Sequence, residues 1–151
     1  MRGYFGIGIH HVKNSLNIGT LFRSADAMGA TYIFTIGKKY KQQRSDTGKS
    51  WRSIPLYHFE DFETFYRCLP KECRLIGVEN NFRAREIKNY VHPERAVYLL
   101  GAEDHGLPNE IMTKCHHLIK IPGKHCLNVS TAGSIVVFDR INKIETPMEL
   151  P

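Results

Sequence analysis

Apolar and polar positions along this chain fall alternately into short β-type runs and longer runs with a helical period. Residues 4–12 (YFGIGIHHV) predict a first strand. Residues 17–28 predict a helix, because Leu21, Ala25 and Met28 recur at helical spacing; Asn17 is its expected N-cap and Gly29 its stop. Residues 31–36 (TYIFTI) predict a second strand, after which Gly37 opens a basic loop. A short strand is expected over 54–59, then a helix over 61–69, capped by Asp61 and stopped by Pro70, then a strand over 74–78. Residues 96–100 (AVYLL) are apolar without interruption, as in parallel strands covered on both faces. A short helix over 108–115, with Pro108 in its first turn, leads to a last strand over 118–121. The closing helix is expected over 128–142, with Val129, Ala132, Ile135, Val136 and Ile141 near a 3.6-residue period. Strand–helix alternation of this kind predicts an α/β fold with a mostly parallel sheet. No internal repeat or linker interrupts it, and residues 145–151, with two prolines, read as a flexible tail.

The length of 151 residues fits one domain, 1–151, at ~100–200 residues per domain. With 42% hydrophobic and 24% charged residues, disordered and collagen-like classes drop out. No apolar run approaches the ~18 residues of a membrane span, and the first residues lack the apolar core of a secretory signal. Cys68, Cys73, Cys115 and Cys126 form no CxxC pair, so reduced thiols in a cytoplasmic setting are expected. Cys115-His116-His117 and His125-Cys126 lack the paired spacing of a structural zinc site, and no metal is expected.

Charge adds a direction. The net charge is +6, and the stretch 38–52 holds six bases (Lys38, Lys39, Lys41, Arg44, Lys49 and Arg52) against one acid, Asp46. Such a run is either a solvated loop or a track for nucleic-acid phosphates. Tyr40 and Trp51 lie within it and could stack a base; Trp51 fits core packing equally well.

The common phosphate cradles are missing. Gly3-x-x-Gly6-x-Gly8 has the wrong order for a dinucleotide fingerprint and precedes or lies within the first strand. Gly48-Lys49-Ser50 resembles the end of a P-loop, but position 43, where that motif needs glycine, is Gln43. Neither GxSxG nor HExxH occurs.

Three other stretches combine polar chemistry with element boundaries. Asn17 and Arg23 share one helix, six residues and about 120° apart. Either residue could be structural, Asn17 as a cap and Arg23 as a surface arginine; a guanidinium can also hold a phosphate through two parallel bonds. Leu100-Gly101-Ala102-Glu103-Asp104-His105-Gly106-Leu107 follows the buried strand, where open α/β sheets bind ligands. Ile121-Pro122, then Cys126-Leu127-Asn128-Val129-Ser130, runs from the last strand into a helix start, which offers free N–H donors.

Taken together and in this order, the three stretches resemble the SpoU/TrmH branch of the SPOUT RNA methyltransferases. That family shows N-x-G-x-x-x-R, L-G-x-E-x-x-G-L and I-P-(loop)-S-L-N-V-S. The resemblance implies a single SPOUT-type domain with a deep trefoil knot in its C-terminal half, S-adenosyl-L-methionine as cofactor, and a homodimer. It implies that Val78, Leu100, Gly101, Ile121, Pro122, Cys126 and Leu127 hold the cofactor, largely through backbone. It implies a reaction centre of Asn17, Arg23, Glu103 and Asn128, with Arg23 facing the partner subunit's knot. The expected reaction is methyl transfer to a ribose 2′-hydroxyl of RNA, tRNA favoured over rRNA, with the basic stretch 38–52 as RNA grip. One position departs from the pattern: Cys126 stands where the family has Ser, and a thiol is the weaker donor. A knotted RNA-binding dimer with impaired catalysis therefore stands as an alternative, and another α/β nucleotide-binding enzyme as a more distant one.

Overall fold

The computed structural model describes residues 3–37 and 54–144. The basic residues Lys38, Lys39, Lys41, Arg44, Lys49 and Arg52, with Tyr40, Trp51 and the tail 145–151, lie outside the described residues. Among those described, seven strands form one sheet, and every strand pair in it is parallel. In chain order the elements are β1 (Tyr4–His10), α1 (Ser15–Ala27), β2 (Tyr32–Ile36), β3 (Leu56–Phe59), α2 (Phe62–Cys68), β4 (Arg74–Val78) and β5 (Arg85–Glu86). A one-turn 3-10 helix (Ile87–Asn89) follows, then β6 (Arg95–Leu100), α3 (Asn109–Lys114), β7 (His117–Lys120) and α4 (Val129–Ile144). Across the sheet the order is β3-β2-β1-β6-β4-β7-β5.

The apolar runs are continuous because both faces of the sheet are covered. On one face Phe5, Ile7, Ile9, Ala96, Tyr98 and Leu100 pack with Ile18, Leu21 and Phe22 of α1 and Val136 and Val137 of α4. On the other, Phe34, Ile36, Leu75, Val97 and Leu99 pack with Phe62 and Phe65 of α2 and Ile111 of α3. Gly6 and Gly8 serve this second face. A Cβ on either would collide with the ring of Tyr32 or Phe34, so these glycines make room for aromatics instead of cradling a phosphate. Phe34 in turn stacks on Phe65, ring centres 4.6 Å apart. The two edge strands are short, four and two residues, which limits the exposed pairing edge.

Several boundaries differ from expectation. β1 stops at His10 because His11 turns into the left-handed region at φ 52°. Asn17 is not a cap: Asn14 holds that position, its side chain accepting the Leu16 N–H at 2.9 Å. Asp61 does cap α2, accepting the Thr64 N–H at 2.7 Å, and this bond holds its carboxyl below the usual range. Asn128 caps α4, accepting from the N–H groups of Ser130 (2.9 Å) and Thr131 (3.3 Å), and the helix runs on to Ile144. The last strand begins and ends one residue before its expected bounds. β5 and the 3-10 turn have no counterpart in the sequence reading.

At the N-terminal ends of the strands α4 delivers Arg140, which is 2% exposed. Its Nη1 donates to the Pro93 carbonyl (2.6 Å) and the Tyr98 hydroxyl (3.2 Å), its Nη2 to the Glu94 carbonyl (2.7 Å). The guanidinium lies 5.1 Å from the Phe5 ring centre. Tyr98 lies 2.6 Å from His92 Nδ1, and His92 Nε2 lies 2.8 Å from Asp139. Burial lowers the His92 pKa more than Asp139 raises it, so the ring is neutral; Nε2–H donates to Asp139 and Nδ1 accepts from the tyrosine. Lys143 completes the cluster, 2.8 Å from the same Asp139 oxygen.

Candidate active site

The opposite end of the sheet is open. Val78 at the end of β4, Leu100 and Gly101 at the end of β6, Ile121 after β7, and Cys126 and Leu127 before α4 line a cleft of about 300 Å³. Six of the seven residues assigned to the cofactor by sequence thus come together. Pro122 does not join them: it is exposed and leads the chain away from β7. The cleft lies beyond the carboxyl ends of parallel strands, where the strand order breaks sequence order and the crossing loops part.

The loop after β6 is compact. Gly106 N–H donates to the Ala102 carbonyl at 2.8 Å, closing residues 102–106 on themselves. Gly106 has φ +61°, and a Cβ on Gly101 would run into the Gly106 backbone. Both glycines of the L-G-x-E-x-x-G-L stretch are therefore sterically required. Leu107 then dives into the core.

Glu103 leaves this loop toward α1. Its carboxylate accepts from Asn17 Nδ2, and Asn17 Oδ1 accepts from Asn128 Nδ2 at 2.9 Å. Three polar residues from three segments thus form one chain of hydrogen bonds at the rim of the cleft. The position of Asn14 as cap is what frees the Asn17 side chain for this task. The Lys13–Asp104 ion pair bridges the same two segments. Arg23 lies apart along α1, about 9 Å farther down the axis and about 120° round, with its side chain exposed.

The Cys115-His116-His117 group is occupied by structural work, whereas His125 and Cys126 are exposed and line the cleft. His116 Nδ1 accepts the Leu75 N–H at 2.9 Å, and His117 Nδ1 pairs with the Tyr90 hydroxyl at 2.8 Å. Burial pushes the Cys115 thiol up to about 12. At the end of β1, burial with help from His11 lowers His10 to about 4. The sequence reading missed Glu79, the residue after β4, which lines the cleft and bonds to the loop opposite. Its only signal was its place at the end of a parallel strand.

Comparison with known proteins matches this geometry to one group. The SpoU rRNA Methylase family model matches residues 5–138. A mouse protein named tRNA (guanosine(18)-2'-O)-methyltransferase TARBP1 is 23% identical over 139 residues, covering 85% of this chain and 9% of the relative. The chain spans about half the length, or less, of the curated relatives it matches. Among solved structures, the SpoU methyltransferase AviRb from Streptomyces viridochromogenes, in complex with AdoMet, superposes with a TM-score of 0.84 at 20% identity. It covers 98% of this chain and 60% of that one. A structure addressing 2-OH methylation of C/U34 on tRNA superposes with a TM-score of 0.82 at 19% identity, covering 96% of this chain and 99% of that one. These likenesses establish the SPOUT-type fold. With the family model matching most of its length, the chain belongs to the SpoU rRNA Methylase family.

Proposed function

We propose that this chain transfers a methyl group from S-adenosyl-L-methionine to a ribose 2′-hydroxyl of RNA, with tRNA preferred over rRNA. The observation that carries the reading is the cleft at the ends of β4, β6 and β7 with the Asn17–Glu103–Asn128 chain at its rim. The cleft fits the cofactor. Val78, Leu100, Ile121 and Leu127 supply apolar walls for an adenine ring, and Gly101 leaves its backbone accessible. When bound, the cofactor supplies an electrophilic methyl on a sulfonium. The chain's own residues would orient the attacking hydroxyl. Arg23 would clamp the phosphate beside the target ribose through two parallel bonds, fixing the approach and stabilising developing negative charge. Arginine holds its proton above a pKa of ~12, so it serves as clamp and not as base; the phosphate or water takes the proton. Asn17, held by Glu103 and Asn128, keeps the start of α1 in place against the cleft.

The same reading includes a knotted C-terminal half, a cytoplasmic setting and a homodimer in which Arg23 faces the partner subunit's cleft; the exposure of Arg23 supports the last. Lys38, Lys39, Lys41, Arg44, Lys49 and Arg52 would add grip on RNA phosphates. The preference for tRNA is supported by a solved neighbour of matching length, the structure that addresses 2-OH methylation of C/U34 on tRNA. The test is methyl transfer from labelled S-adenosylmethionine to total tRNA and, separately, to ribosomal RNA, with nuclease mapping. A labelled 2′-O-methyl nucleotide from tRNA is expected. Label in rRNA alone overturns the tRNA preference, and no label in either pool despite cofactor binding moves the reading to an RNA-binding protein.

A further inference from the structure

Glu79 belongs to none of the three motif stretches, yet it ties the cleft together. Its backbone N–H donates to the Ile119 carbonyl at 3.0 Å, pinning the end of β4 to β7. Its carboxylate reaches across to the loop after β6. Oε2 accepts the Leu107 N–H at 2.7 Å, and Oε1 accepts the Asn80 N–H at 3.0 Å. Both oxygens are thus engaged by backbone donors although the residue lines the cleft. Bonds from backbone N–H to a carboxylate are about twice as strong as neutral ones.

The loop is shaped to receive this carboxylate. A Cβ on Gly106 would strike it, and a Cβ on Gly101 would strike the Gly106 backbone. The glycine spacing of the loop therefore answers to a side chain on another strand. The same loop carries Glu103, whose bond to Asn17 reaches α1. Glu79 stands at one end of a series that runs by a hydrogen bond to Leu107, along the closed loop to Glu103, and by hydrogen bonds through Asn17 and Asn128 to the cap of α4.

We propose that Glu79 is a positioning residue of the cofactor site: its carboxylate latches the 101–107 loop so that the Gly101 backbone and Glu103 hold their places. The inference rests on the cofactor reading above. The competing role is a direct charge contact with the sulfonium or amine of the cofactor, and the engagement of both oxygens favours the latch.

The two roles separate in a calorimetric titration of the full chain with S-adenosylmethionine and with S-adenosylhomocysteine, whose sulfur carries no charge. Glu79→Ala is expected to weaken both ligands tenfold or more and by the same factor. Glu79→Gln, which keeps an acceptor for the Leu107 N–H, is expected to bind both within threefold of the parent. Glu79→Asp keeps the charge but is one methylene short, and is expected to bind as weakly as Glu79→Ala. The Asp and Gln variants carry the test should the alanine variant fail to fold. A Gly106→Ala change is expected to cost a smaller factor in the Glu79→Ala background, where the carboxylate it strikes is gone.

Parent-like binding by both Glu79→Ala and Glu79→Asp overturns the latch. So does a loss confined to S-adenosylmethionine and shared by Glu79→Gln, which would assign the charge contact. If the parent chain binds neither ligand, the cofactor reading falls and the latch with it.

Discussion

At the carboxyl ends of β4, β6 and β7 the chain is open, rich in glycine and held by side chains that reach between loops: Glu79 to Leu107, Glu103 to Asn17, Asn128 to Asn17. At the amino ends of β1 and β6 a single arginine is sealed among carbonyls and aromatic rings, with a neutral histidine and an aspartate beside it. Both ends use polar side chains to hold backbone groups, Glu79 the Leu107 N–H and Arg140 the Pro93 and Glu94 carbonyls, and the cleft adds side-chain bonds between segments. They differ in water access. The Arg140 side chain is sealed from water, so a bond lost there leaves a part-buried carbonyl short of a donor, whereas the cleft is half-open and its polar groups can fall back on water. The amino end therefore governs stability, and the carboxyl end can vary its chemistry at small cost to the fold.

The largest expected effect tests the sealed end. Arg140→Met fills much of the volume but takes the guanidinium donors away from the Pro93 carbonyl and the Tyr98 hydroxyl and leaves the Glu94 carbonyl with the Tyr4 N–H. A loss of about 3–5 kcal/mol is expected, since each hydrogen bond to a charged donor contributes roughly 1.5–3 kcal/mol and more than one is lost. Melting should fall by roughly 10 °C for a chain of this size, while the folded fraction binds cofactor normally. A melting temperature within a degree of the parent would erase the distinction between the two ends.

Arg23→Lys probes the open end and should do the reverse. It keeps the charge and loses the fork. Turnover should drop roughly a hundredfold, about 2.7 kcal/mol of barrier, with melting temperature and cofactor affinity unchanged. Near-normal turnover would remove the phosphate clamp.

A smaller effect comes from pH, because each end holds a histidine that burial keeps neutral: His10 near the cleft, lowered to about 4, and His92 beside Arg140. Their folded values lie below the unfolded value near 6.5, so the unfolded chain binds the extra protons first. Stability is fully present above pH 6.5 and declines as pH falls from there toward 4. Thermal unfolding across that window should show the decline, and His10→Gln should flatten part of it. A parent curve that is flat over the same range would contradict both environments.

The smallest change is expected at Cys126, which lines the cleft and is exposed. Cys126→Ser installs the stronger donor typical of the family and should tighten cofactor binding a few-fold without moving the melting temperature. Weaker binding by the serine variant would show that the thiol suits this cleft better.

How much of this could be read in advance varies residue by residue. The cleft residues Val78, Leu100, Gly101, Ile121, Cys126 and Leu127 were legible only through the resemblance to the SPOUT family; the residue pattern alone pointed to Gly101, at the end of an apolar strand where ligands of open α/β sheets gather. Asn17 was read as a cap, since an asparagine before an apolar helical period is the usual sign of one. Asn14, three residues earlier, is equally suited, and only the choice between them sends Asn17 to Glu103 and Asn128. β5 was invisible because two residues show no periodicity. Glu79 was passed over because its partner, Leu107, lies 28 positions away.

The sequence by itself determined the kinds of element, their approximate bounds and the parallel character of the sheet, because these follow from the spacing of apolar side chains within one segment. The tertiary structure alone decided the strand order, the burial of Arg140, and the meeting of Asn17, Glu103 and Asn128 across 86 and 111 positions of chain. Local periodicity carries no information about which strand becomes a neighbour. That choice is made when two covered faces must be packed at once, and it is the packed sheet that brings distant polar side chains within bonding reach.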